Sequence, residues 1–102
     1  MEIIANNDNF KDLVSKDLVL VDFFANWCGP CKMLSPVLEE LANDRNELNI
    51  VKVDIDESSE LARQYGVMSV PTLMLFKNGS LVATQSGYMP KELLSRWIES
   101  NK

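Results

Sequence analysis

Cys28 and Cys31 are the only cysteines among 102 residues, three positions apart in Trp27-Cys28-Gly29-Pro30-Cys31-Lys32. Two thiols at this spacing meet only if the backbone between them turns. One helical turn suffices, because residues i and i+3 share a face. Their Cα atoms then fall within the roughly 4.4–6.8 Å that a disulfide requires. Such a pair opens and closes with little backbone motion, which is thiol–disulfide exchange chemistry. Other chemistries fit less well. A structural zinc site needs about four ligands, and the chain offers two cysteines and no histidine. A four-residue loop removes little unfolded-state entropy, so a purely structural disulfide gains little. Gly-Pro between the thiols is poor interior-helix sequence, against two inert buried cysteines.

The elements on either side explain why one sulfur should be reactive. Leu18-Val19-Leu20-Val21-Asp22-Phe23-Phe24 reads as a strand, and Lys32 to Asn43 reads as a helix. The dithiol therefore sits where a strand ends and a helix begins. A helix N-terminus carries about half a positive charge and unpaired amides, which favour a thiolate. With Cys28 as N-cap, Gly29, Pro30 and Cys31 are the first helical residues. Pro30 has no N–H, so the Cys31 amide is the donor best placed for the Cys28 sulfur. Cys28 is then the activated nucleophile and Cys31 the resolving partner behind it.

The same strand carries a second chemical group. Alternation places Leu18, Leu20, Asp22 and Phe24 on one face and Val19, Val21 and Phe23 on the other. With both faces apolar, Asp22 is either a desolvated carboxylate of raised pKa or a partly exposed residue near the strand end. As the former it could take a proton from Cys31. Lys52 shares a face with Ile50 and Asp54. It could pair with Asp22 across neighbouring strands, or stand in solvent.

The remaining chain supplies an ordered set of elements. Glu2 to Ala5 is a short strand, and Asp8 is placed to cap a brief helix bearing Phe10, Leu13 and Val14. The helix after the dithiol shows the stripe Leu34, Val37, Leu38 and Leu41, with Pro36 inside it to kink rather than end it. Ile50 to Ile55 is a second inner strand, completing a parallel βαβ unit. Asp56 is placed to cap a helix through Tyr65, with Gly66 at its left-handed end. Strands at Thr72 to Phe76 and Leu81 to Gln85 flank Asn78-Gly79, a strong hairpin signal. Pro90 opens a last helix whose apolar face is Leu93, Leu94, Trp97 and Ile98. Residues 1–102 read as a single domain.

The composition narrows the function. A net charge of −5 argues against nucleic acid, which needs clustered Lys and Arg. No apolar run approaches membrane-spanning length. Met1 to Asn6 shows no basic region followed by a long apolar stretch, so no secretory signal is read there, and a cytoplasmic chain is expected. A lone Cys-x-x-Cys in that compartment is expected to be reduced and catalytic.

Ala25-Asn26-Trp27-Cys28-Gly29-Pro30-Cys31-Lys32 closely resembles the active-site signature of the thioredoxin family, and the order of elements matches its fold. The resemblance implies an α/β thioredoxin fold, a five-stranded mixed sheet flanked by four helices on both faces. It implies a buried acid at Asp22 that pairs with Lys52, and a cis peptide before Pro71 in Met68-Ser69-Val70-Pro71-Thr72, where pattern alone leaves a trans turn proline open. The Val70 backbone would pair with an extended substrate segment. Trp27, Gly29, Pro30, Val70, Pro71 and Gly87 would form a flat apolar docking surface. Phe24, where many members carry tryptophan, and Tyr88, where a smaller residue is frequent, depart from the pattern. The resemblance further implies a monomeric protein-disulfide reductase with no bound cofactor, recharged by a thioredoxin reductase because the chain has no Gly-rich dinucleotide loop. Its clients would include ribonucleotide reductase, methionine sulfoxide reductase and peroxiredoxins. Two rival readings are an oxidase or isomerase domain, whose relatives commonly place histidine between the cysteines, and a docking module with dispensable thiols.

Overall fold

The computed structural model describes residues 2–102. Nine elements follow one another: β1 (Glu2–Ile4), α1 (Phe10–Leu13), β2 (Leu18–Phe24), α2 (Gly29–Asp44), β3 (Asn49–Asp54), α3 (Ser59–Gln64), β4 (Thr72–Lys77), β5 (Ser80–Ser86) and α4 (Lys91–Asn101). The strands form one sheet in the order β1-β3-β2-β4-β5. β1, β3 and β2 run parallel, and β4 and β5 are antiparallel to their neighbours.

Strand alternation sorts the core into two layers. Val19, Val21, Phe23, Val51, Val53, Met74 and Phe76 pack with Phe10 of α1 and Leu61 of α3. Leu18, Leu20, Ile50, Leu73 and Leu75 pack with Leu34, Leu38 and Leu41 of α2 and with Leu94 and Ile98 of α4. The two-sided apolar pattern of β2 is thus the signature of a central strand covered by helices above and below.

Sheet register positions the site. β2 and β4 pair antiparallel with Phe23 opposite Thr72, so the end of β2 lies beside the start of β4. The loop after β2 carries Cys28, and the residue before β4 is Pro71. β5 pairs back with Thr72 opposite Ser86, and the Gly87 amide donates to the Pro71 carbonyl at 2.8 Å. The two-residue turn that makes this possible is Asn78-Gly79, both at positive φ, between the paired Lys77 and Ser80.

Several local expectations are corrected. Asp8 does not cap α1. The Asn6 side chain instead accepts the Asp8 and Asn9 amides, and the Asn9 side chain accepts the Asn6 amide. Asp56 does not cap α3, because Asp54 captures the Asp56 and Glu57 amides and makes a turn that delays the helix to Ser59. Pro90 is the N-cap of α4 rather than its first residue, in extended conformation, with its carbonyl accepting the Leu94 amide. Leu93 is 49% exposed, since only Leu94, Trp97 and Ile98 turn toward the sheet. Pro36 does not end α2, which continues to Asp44, and Gly66 takes the left-handed position expected after α3.

Candidate active site

Cys28 is the N-cap of α2 in extended conformation, and Pro30 occupies the first turn. The Cys31 amide donates to Cys28 Sγ at 3.1 Å. The two cysteines are joined as a disulfide with Cα atoms 5.2 Å apart, inside the window that one helical turn allows. Burial does not distinguish them, at 4% and 3% exposed. Their surroundings do. Cys28 Sγ lies 3.6 Å from the Val70 carbonyl oxygen, on the side of the cis Val70–Pro71 bond. Cys31 lines a pocket of about 290 Å³ with Phe24, Asn26, Lys32, Ser35 and Lys52.

Trp27, at 68% exposed, stands beside the dithiol. Its indole N–H donates to Asp56 at 3.0 Å, a contact the sequence did not predict. Gly29 and Pro30 are exposed, while Val70 and Gly87 are partly covered. Pro71, just before β4, is buried, and the Gly87 amide donates to its carbonyl, so these two positions lie together at one end of the sheet.

Asp22 is 1% exposed on the α2 face of β2. Neither of its oxygens has a hydrogen-bond partner among the described residues. Burial pushes its carboxyl up to about 6, with Lys52 opposing and Glu2 reinforcing. Lys52 is its register neighbour on β3. The expected direct pair is nevertheless absent. The long Lys52 stem carries its ammonium to Ser35 Oγ at 3.3 Å and over the Phe24 ring, 5.3 Å from the centroid. Ser35 and Asp56 are thus the residues the linear reading missed. Ser35 lies one turn beyond Cys31 on α2, a spacing that signals proximity but does not reveal Lys52 as the partner.

A thioredoxin family model matches residues 2–100. The chain belongs to the thioredoxin family. It is 48% identical to thioredoxin of Bacillus subtilis, covering 95% of this chain and 94% of that one. It is 50% identical to thioredoxin of Chlamydia muridarum, with 97% of each covered. Among solved structures it is similar to a mutant thioredoxin from Halobacterium salinarum, with a TM-score of 0.91, 41% identity, and coverage of 98% and 89%. A thioredoxin of Plasmodium falciparum gives a TM-score of 0.89 at 39% identity, with 98% of each chain covered. As a thioredoxin-family protein the chain is a thiol–disulfide oxidoreductase, a protein-disulfide reductase with a redox-active cysteine pair. Among the described residues no helix is long and apolar enough to cross a membrane.

Proposed function

We propose that Cys28 is the nucleophile and Cys31 the resolving thiol of a single-domain, monomeric reductant of protein disulfides. The observation that carries this is the Cys31 amide on Cys28 Sγ at a helix N-terminus, where it stabilises negative charge on one sulfur only. In the reduced protein the Cys28 thiolate attacks a client disulfide, and one client sulfur leaves as a thiolate. Asp22 takes the Cys31 proton. Cys31 then attacks Cys28 Sγ, displaces the second client thiolate and closes the Cys28–Cys31 disulfide. Two electrons pass to the client, and a separate reductase supplies two more to reopen the Cys28–Cys31 disulfide.

Trp27, Gly29, Pro30, Val70, Pro71 and Gly87 offer backbone and shape rather than charge, which suits clients of no fixed sequence. Lys52 acts on the site through its charge near Asp22. Gly-Pro between the cysteines adds no cation to stabilise the thiolate further, which favours a reductant over an oxidase. The finer reading places the protein in the cytoplasm with a thioredoxin reductase as its electron source. Ribonucleotide reductase, methionine sulfoxide reductase and peroxiredoxins are its clients.

Timed alkylation of the reduced protein at pH 7 tests the assignment. For a thiol near the ordinary pKa of about 8.5, the first unit of lowering raises the thiolate fraction at pH 7 by about eightfold, and the gain saturates beyond that. Cys28 is expected to react roughly tenfold faster than Cys31. Equal rates would remove the basis for the two roles.

A second expectation concerns Trp27. Asp56→Ala removes the acceptor of its indole N–H. The rate of insulin reduction is expected to fall by roughly two- to fivefold, the scale of one lost hydrogen bond at an exposed site. Reduction of a small aromatic disulfide, which needs no docking surface, should be unchanged. An equal loss on both substrates would place Asp56 in folding rather than docking.

A further inference from the structure

We infer that Ser35 is a positioning residue that holds the Lys52 ammonium away from the Asp22 carboxylate, and so sets the pH range in which Asp22 takes the Cys31 proton. This role builds on Asp22 being the acceptor of that proton, as proposed above.

The geometry of the hydroxyl supports the assignment. Ser35 Oγ donates to the Cys31 carbonyl oxygen one turn earlier, at 3.4 Å. Its proton is thereby committed to the backbone, and its lone pairs face outward. Lys52 Nζ donates to them at 3.3 Å. The Phe24 ring holds the same ammonium from below at 5.3 Å. Two contacts therefore fix a side chain that is otherwise long and mobile. Both lie on the pocket side of the site, where Lys32, Ser35, Phe24 and Cys31 form the wall.

Asp22 is the group that loses by this arrangement. Lys52 is its cross-strand neighbour, yet both carboxylate oxygens are buried without a partner among the described residues. An unpartnered buried carboxylate is costly, and a free lysine directly opposite it in register would be drawn to it. Other charges near the carboxylate do not explain the separation. Glu2 on β1 raises its pKa, β4 presents uncharged Leu73 opposite, and Lys32 on α2 is exposed. Asp54, farther along β3, is engaged by Asn26 and by the Asp56 and Glu57 amides. Among these groups Ser35, with the Phe24 ring, alone contacts the Lys52 ammonium.

The test follows the Asp22 carboxyl by 13C NMR in the disulfide-bonded protein, where the cysteines do not titrate. Ser35→Ala keeps a strong helix former at the position, so α2 should be preserved. The Asp22 midpoint is expected to fall by about one pH unit as Lys52 swings to within pairing distance. Ser35→Thr retains the hydroxyl and should restore the wild-type midpoint. In a Lys52→Met background, Ser35→Ala should have no further effect. An unmoved midpoint in Ser35→Ala would overturn the inference. So would the same shift with and without Lys52, because a merely structural role for Ser35 predicts that result. The pH profile of mixed-disulfide resolution is recorded in parallel. A midpoint that shifts while this profile stays fixed would leave the hold on Lys52 standing and remove Asp22 as the proton acceptor.

Discussion

Changing Cys31 to serine is expected to turn this protein from a catalyst into a covalent trap. The Cys28 thiolate keeps its helix N-terminus and the Cys31→Ser backbone amide, so attack on a client disulfide proceeds. What disappears is the second thiol held one helical turn away, its Cα 5.2 Å from that of Cys28. Release then depends on thiols from solution. Well-oriented intramolecular groups act at effective concentrations of about 10⁵ M or more. Against millimolar external thiol, resolution should slow by at least about a thousandfold even if the native geometry achieves a small part of that advantage. With insulin as substrate, non-reducing electrophoresis should show one stable adduct on Cys28 that dithiothreitol removes. Cys28→Ser should form none. Turnover that persists in Cys31→Ser, with no adduct, would reverse the roles of the two sulfurs or make the inner thiol dispensable.

The parts of this site that could be read from the chain are those that depend on neighbours in sequence. Cys28, Pro30 and Cys31 lie within one turn, so the N-cap and its amide donor follow from spacing and from the missing N–H of proline. Alternation along Leu18–Phe24 put Asp22 on an apolar face but left a partly exposed position open, and only the helices packed on both sides of β2 close that alternative. Pro71 and Gly87 are different. They reach the dithiol only through the pairing of β4 with β2 and of β5 with β4, and the resemblance to a known family supplied that adjacency.

Two of the failures share a physical cause. Asp8, Asp56 and Pro90 were each suited by type to begin a helix. At the first two sites, Asn6 and Asp54 reached the nearby amides with better geometry. The resemblance implies a pair between Lys52 and Asp22; the two are register partners, but the ammonium goes to Ser35 and Phe24 instead. A four-carbon stem allows its charge several destinations, and Ser35 and Phe24 decide among them only once α2 lies on the sheet.

The buried carboxylate itself provides the second large effect. Asp22→Asn is expected to stabilise the oxidised protein at neutral pH, and the sign follows from proton linkage. The native carboxyl titrates at about 6, above its ordinary 3.8. Between these values the folded state binds more protons than the unfolded one, so stability falls as pH rises through the window. A shift of about two units, at about 1.4 kcal/mol each, makes the ionised side chain roughly 3 kcal/mol unfavourable above pH 6. Asparagine has nearly the same shape and never ionises. Urea unfolding should therefore give nearly equal stabilities for the two proteins below pH 4. A gap should open between pH 4 and 6 and level off at roughly 3 kcal/mol above it. A gap independent of pH would mean that hydrogen bonding rather than desolvation separates the two side chains. With Asp22 as the proposed acceptor of the Cys31 proton, the same variant should resolve mixed disulfides more slowly at neutral pH. A residue that costs this much folding energy and speeds the second chemical step is retained for catalysis rather than for the fold. Stability and turnover moving in opposite directions in one variant is the result that distinguishes these two reasons for its presence.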